Sequence, residues 1–156
     1  MGPTTMRGFT VIELVTCIIV LGLLAALAGP RFVDTQSVNQ LGYINELGAA
    51  LRYAEGVAVA TGCNVQVTIN AAGYTARQRA LAAGNTCAAA GAYSLQVLRA
   101  DGSPLSGAPP SNANIASGGV IVFAASGAVA NPPPPALAVG THTLTVDAVS
   151  GFITVQ

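Results

Sequence analysis

The chain has no tryptophan and no lysine, and only 8% of its 156 residues are charged, against about a quarter in ordinary soluble domains. Its positive charges are arginines alone: Arg7, Arg31, Arg52, Arg77, Arg79 and Arg99. Six acids balance them, at Glu13, Asp34, Glu46, Glu55, Asp101 and Asp147. Zero net charge argues against a strongly nucleic-acid-binding surface. The lone histidine, His142, and the three cysteines have no metal-ligand spacing. Asp101 in "RADGSPLSG" stands by itself, and a calcium loop needs several oxygen ligands. The serines of "SGGV" and "ASGAV" lack the nucleophile context that pairs a serine with a base. No catalytic constellation emerges, so the chain reads as a non-enzyme without cofactor or metal. Low charge with many small and β-branched residues suits a protein that works outside the cytoplasm or inside an assembly.

What is abundant is hydrocarbon near the start. From Phe9 to Gly29 the only charge is Glu13. As a helix this run would span roughly 30 Å, about one bilayer core. Arg7 precedes it, so the positive-inside rule puts the N-terminus in the cytoplasm. A secretory signal peptide would have such a run, with "ALA" at Ala26 to Ala28 as its cleavage site. Pro30 constrains the residue before it and makes that site awkward. A plain single-span anchor accounts for the length. Neither explains Glu13, because a carboxylate within a membrane-length segment is costly and marks function.

The stretch "GFTVIELV", Gly8 to Val15, resembles the processing signal of type IV pilins and type II secretion pseudopilins. The resemblance implies a cleaved leader over residues 1–8, cut between Gly8 and Phe9 by a prepilin peptidase. Phe9 would then be the N-methylated first mature residue and Glu13 the fifth. Pro30 would be the twenty-second, where the family often carries a helix-kinking proline. Glu13 would pair with the new amine of Phe9, its own or a neighbouring subunit's. Pairing with a neighbour would set an axial register between helices. An unpaired buried carboxylate would instead cost several kcal/mol or be neutralised.

After Pro30, Val38, Leu41, Ile44, Leu47, Leu51, Ala54 and Ala58 recur at three- and four-residue steps. That is the apolar stripe of an amphipathic helix. Asn39, Gln40, Asn45, Glu46, Arg52 and Glu55 lie largely off it. Thr61-Gly62 reads as a stop. One long helix from about Thr10 to Ala60 is expected, kinked at Pro30. Its first part, residues 9–29, would be the transmembrane and assembly helix, and residues 30–61 the amphipathic half. Gly22 and Gly29 would permit close helix approach. Cys17 would be a buried packing residue.

Beyond Gly62 the period changes to two. Val65, Val67 and Ile69 alternate with polar residues, and Asn70 to Gly73 reads as a turn before a returning strand from Tyr74 to Arg79. Tyr93 to Arg99 and Val120 to Phe123 are further strands, with a loop from Gly102 to Gly118. Asn131 to Pro135 is a polyproline-like loop. Thr141 to Val146 and Phe152 to Val155 make a hairpin around "DAVSG". The fold expected is α+β: a long N-terminal helix packed on a small antiparallel sheet or sandwich over 62–156. Cys63 and Cys87 are either free thiols or a disulfide closing a loop of about 24 residues, contributing about 2–4 kcal/mol. An oxidising location favours the bond.

"ELGAALRYAEGVAVATGCNVQVTI", "GVIVFAASGAV" and "THTLTVDAVSGFITV" are similar to the GspH/FimT type of minor pilin and pseudopilin. "ALRYA" is also similar to a stretch of MSHA-type minor pilins. These resemblances imply a structural subunit anchored in the bacterial inner membrane, with its C-terminal domain periplasmic. Homologous subunits, the peptidase/methyltransferase and the membrane would be its partners, and a pilus or pseudopilus its destination. A membrane-anchored binding module of a DNA-uptake or secretion system is the alternative. The tail "SGFITVQ" lacks the basic residues of DNA-binding relatives, which counts against nucleic acid. Arg77, Arg79 and Arg99 then read as solvated surface charges.

Overall fold

The computed structural model describes residues 8–28, 35–82, 84, 86–88, 90–131 and 135–156, with the backbone alone for 26–28. The chain divides into two compact units, Met1–Thr35 and Gln36–Gln156.

In the first unit, helix α1 spans Val11–Ala28. Thr10 starts it: the Glu13 N–H donates to the Thr10 hydroxyl (3.3 Å) and to the Thr10 carbonyl (3.1 Å). Thr10 is thus the N-cap, and Glu13 holds the third helical position, as in a Thr-x-x-Glu capping box. Apolar side chains from Val11 to Leu24 are exposed around the whole helix. Cys17, expected as a packing residue of this helix, is a free thiol and is exposed among the described residues. Among the described residues no helix is long and apolar enough to cross a membrane. The apolar run read from the sequence continues to Gly29, past the last described residue of α1. Pro30 and its kink, like Gly29, lie outside the described residues. The single helix expected from Thr10 to Ala60 is represented by α1 and by α2, Thr35–Thr61.

Helix α2 ends where expected. Gly62 has φ 67°, the left-handed conformation that closes helices. The Thr61 hydroxyl donates to the Val57 carbonyl at 2.7 Å. Its buried face is Tyr43, Ile44, Leu47, Ala50, Leu51, Ala54 and Ala58. The upper stripe departs from expectation: Val38 and Leu41 are 69% and 46% exposed, whereas Gln40 is only 7% exposed. At that level the helix meets a polar turn rather than a sheet face. Gln40 lies against Gly140 and donates to the Asn112 carbonyl at 3.5 Å.

Among the described residues nine strands follow: β1 (Val65–Asn70), β2 (Gly73–Gln78), β3 (Leu95–Gln96), β4 (Ser106–Gly107), β5 (Ile115–Ser117), β6 (Gly119–Phe123), β7 (Leu137–Val139), β8 (His142–Val146) and β9 (Ile153–Val155). One antiparallel sheet runs β3-β2-β1-β6, with β4 also on β2; the other runs β5-β7-β8-β9. The β1–β2 hairpin closes at Asn70↔Gly73 as the turn residues predicted. The "DAVSG" hairpin joins β8 to β9. The strand expected over Tyr93 to Arg99 survives only as β3 and a bridge from Leu98 to Pro104. The segment read as a loop over 102–118 contains β4 and β5, and β7 is additional. These short strands form because neighbours supply pairing, not because their own pattern is strong.

Strands β5 and β6 belong to different sheets although Gly118 alone separates them. A side chain at Gly118 would collide with the Ile69 carbonyl, so the glycine lets the chain pass between sheets. The free edge of β6 is capped: Asn131 accepts from the Val122 N–H (2.7 Å) and donates to the Val120 carbonyl (2.6 Å). Both sheets and α2 share one core, with Ile44, Leu47 and Leu51 packed among Val67, Phe123, Leu137, Leu144 and Ile153. Each such side chain contributes about 1.5–3 kcal/mol by leaving water.

Candidate functional site

Two regions gather chemistry. At the start of α1, Gly8, Phe9, Thr10 and Glu13 line one open cleft. Gly8 and Phe9 are exposed and lie directly ahead of the N-cap. A side chain at Gly8 would meet nothing within 4 Å, so no packing among the described residues demands the glycine. Glu13 stands one turn inside the helix, where an acid complements the positive end of the helix dipole. The sequence signal for this start, Thr-x-x-Glu ahead of an apolar run, was present.

The second region lies where α2 meets the first sheet. The Tyr74 hydroxyl donates to Glu46 Oε1 at 2.8 Å and accepts from Arg99 Nη2 at 3.1 Å. Arg99 also donates to the carbonyls of Pro104 (3.0 Å) and Ser106 (2.8 Å). Tyr53 donates to the Leu98 carbonyl at 2.9 Å. Around these groups Ala49, Ala50, Tyr53 and Leu105 line a mainly apolar cleft of about 270 Å³. The Tyr43 ring lies 6.4 Å from that of Tyr74, and its hydroxyl is buried without a hydrogen-bond partner among the described residues. Burial pushes both phenols up to about 12, and the nearby Glu46 carboxylate adds to the rise. Arg99 opposes it at Tyr74. Helical and strand periodicity do not signal this cluster, since its members come from separated segments. The one hint was charge at Glu46 and Arg99 in a chain with so little of it.

The structure joins Cys63 to Cys87 in a disulfide, with Cα atoms 5.4 Å apart, inside the usual range. It ties the segment after β2 to the end of α2. Arg79 stacks on Tyr93, 5.2 Å from its ring centre, and donates to its hydroxyl at 3.1 Å. Arg77 donates to the Ser94 carbonyl at 3.5 Å. The three arginines of the domain are thus held by separate local partners. His142 sits half-buried on β8. Among the described residues no three His, Cys, Asp or Glu side chains gather as metal ligands.

The chain is similar to the type IV narrow pilus major component PilA5 of Thermus thermophilus, with 45% identity over 53 residues. The match covers 33% of this chain and 45% of that protein, so less than half the relative's length is spanned. No family model matches, and no solved structure does.

Proposed function

We propose that the chain is a prepilin-like structural subunit that assembles through its N-terminal helix into a pilus or pseudopilus. The observation that carries this reading is the start of α1: exposed Gly8-Phe9 immediately ahead of the Thr10 N-cap, with Glu13 one turn in. Cleavage between Gly8 and Phe9 creates an ammonium group one residue outside the cap. Alone, that charge opposes the positive end of the helix dipole. The Glu13 carboxylate offsets it within a subunit or, in a bundle, captures the amine of a neighbour and fixes the register. The similarity to a type IV pilin supports the same class.

In this reading residues 1–8 are a leader removed by a prepilin peptidase, which also methylates Phe9. Residues 9–29 anchor the subunit in the inner membrane before assembly. Residues 30–61 carry the domain 62–156 on the periplasmic side, with any kink at Pro30. The all-round apolar exposure of α1 supports this, because such a helix needs lipid or other helices as cover. The resemblances of the C-terminal half favour a minor pilin or pseudopilin of the GspH/FimT type. The subunit needs no catalytic machinery of its own.

Mass spectrometry of the chain purified from its host membranes tests the reading. A mature chain beginning at N-methylated Phe9 is expected. A chain that begins at Met1 or at Gly29 would overturn it.

A further inference from the structure

The second unit carries a recess and a projection on opposite flanks of the same helix. With 3.6 residues per turn, Glu46, Ala49 and Tyr53 fall on one flank of α2, and Gly48, Arg52 and Glu55 on the other. The contacts agree. The first flank meets Tyr74 and Leu98 of one sheet region. The second meets Leu144 and Val155, the Ile153 carbonyl, and Gly151 of the β8–β9 hairpin.

The recess is the cleft of about 270 Å³ beside Ala49, Tyr53 and Leu105. It is smaller than a cofactor pocket and suits one large apolar side chain. Arg99 and Glu46 both line it, joined through the Tyr74 hydroxyl, and the hydrogen bonds of Arg99 go to neutral oxygens. The projection is the β8–β9 hairpin, where Val149 is 84% exposed and Phe152 is 68% exposed. Isolated exposed apolar residues are ordinary, but these two share a turn braced from within. Asp147 accepts from the Ser150 N–H and hydroxyl (both 2.7 Å) and from the Val149 N–H (3.1 Å). Gly151 is wedged between the Gly127 carbonyl and Glu55. The backbone of the turn is therefore braced, and it presents these apolar side chains beside the exposed carboxylate of Asp147.

We infer that the β8–β9 hairpin of one copy docks into the Ala49–Tyr53 recess of a second copy of this chain, with Phe152 as the anchor. Size, apolar character and the opposite charges of Asp147 and Arg99 match the two surfaces. An aromatic side chain filling a pocket is the usual energetic centre of an interface. One such contact leaves a hairpin free on one copy and a recess free on the other, so it can propagate head-to-tail. It is too small to hold two copies alone. It rests on the filament reading above, in which the N-terminal helices raise the local concentration of domains.

The test uses the full chain expressed in its host, with Cys17→Ser to remove the free thiol. Ala49→Cys and Phe152→Cys are introduced together and singly, then mildly oxidised. The double variant is expected to give a ladder of multimers, and each single variant at least tenfold less. A photoreactive residue at position 149 gives a second readout and is expected to label α2 near Ala49 of another copy. Processing at Gly8 and recovery of sedimentable filaments are followed in the same cells. Filaments without the 49–152 bond, with the position-149 adduct elsewhere or on another protein, would overturn the docking while leaving the filament reading intact. An unprocessed chain that forms neither filaments nor cross-links would overturn both.

Discussion

The Tyr74 hydroxyl, on β2, donates to Glu46 of α2 at 2.8 Å, and Arg99 holds the same oxygen from the other side. A phenol thus stands between a carboxylate and a guanidinium and fastens the helix to the first sheet. Tyr74→Phe removes both bonds while keeping the ring. The expected loss is about 1.5–3 kcal/mol, the range for hydrogen bonds to charged groups, read by urea unfolding.

Alkali should reach the same place. The Tyr43 and Tyr74 phenols lie up at about 12, against 10.0 for a free tyrosine. Between those values the folded state binds more protons than the unfolded state, so stability falls as pH rises. The contribution is whole below about pH 10 and is lost as pH passes about 12. Unfolding midpoints measured from pH 9 to 12 should decline, and Tyr43→Phe with Tyr74→Phe should flatten the decline.

Two glycines with positive φ separate backbone preference from collision. Gly62 has φ 67° and open space around it, so Gly62→Ala should cost about 1–2 kcal/mol. Gly73 has φ 128°, and a side chain there would strike the Gly107 carbonyl. Gly73→Ala should cost more and displace β4 from β2. Thermal unfolding of both variants side by side checks the order.

Breaking the Cys63–Cys87 bond should destabilise the domain by about 2–4 kcal/mol. Cys63→Ser with Cys87→Ser, or reduction of the native chain, is expected to lower the melting temperature. Faster amide exchange should concentrate in the segment after β2. A domain whose melting temperature ignores reductant would contradict this.

At the N-terminus, Gly8→Ala should block processing, so the full leader stays on the chain. Glu13→Ala should be processed but poorly assembled, since the amine of Phe9 loses its carboxylate. Mass spectrometry and sedimentation separate the two effects. Normal assembly of Glu13→Ala would show that charge pairing does not set the register.

Much of this architecture follows from local pattern. The β1–β2 hairpin was legible because Val65, Val67 and Ile69 alternate up to an Asn-Ala-Ala-Gly turn. The terminal hairpin was legible for the same reason, and the core face of α2 from Ile44 to Ala58 followed from its spacing. β4, β5 and β7 were not legible, because two or three residues carry no period and pair only where a neighbour is offered. Gln40 was placed off the apolar stripe, yet it is buried against Gly140. The stripe shows which residues are apolar but not where the facing layer stops.

By itself the sequence determined the helix-then-strand order, the stop at Gly62 and the apolar N-terminal segment with its single carboxylate. Those features depend on neighbours in the chain: side-chain period, backbone freedom and capping. The tertiary structure alone decided the division into two sheets, the bond between Cys63 and Cys87 from the alternatives left open, and the Glu46–Tyr74–Arg99 bridge. It also placed a recess and a projecting hairpin on opposite flanks of α2. Such relations join residues far apart in sequence, and only the packing of one shared core sets their distances.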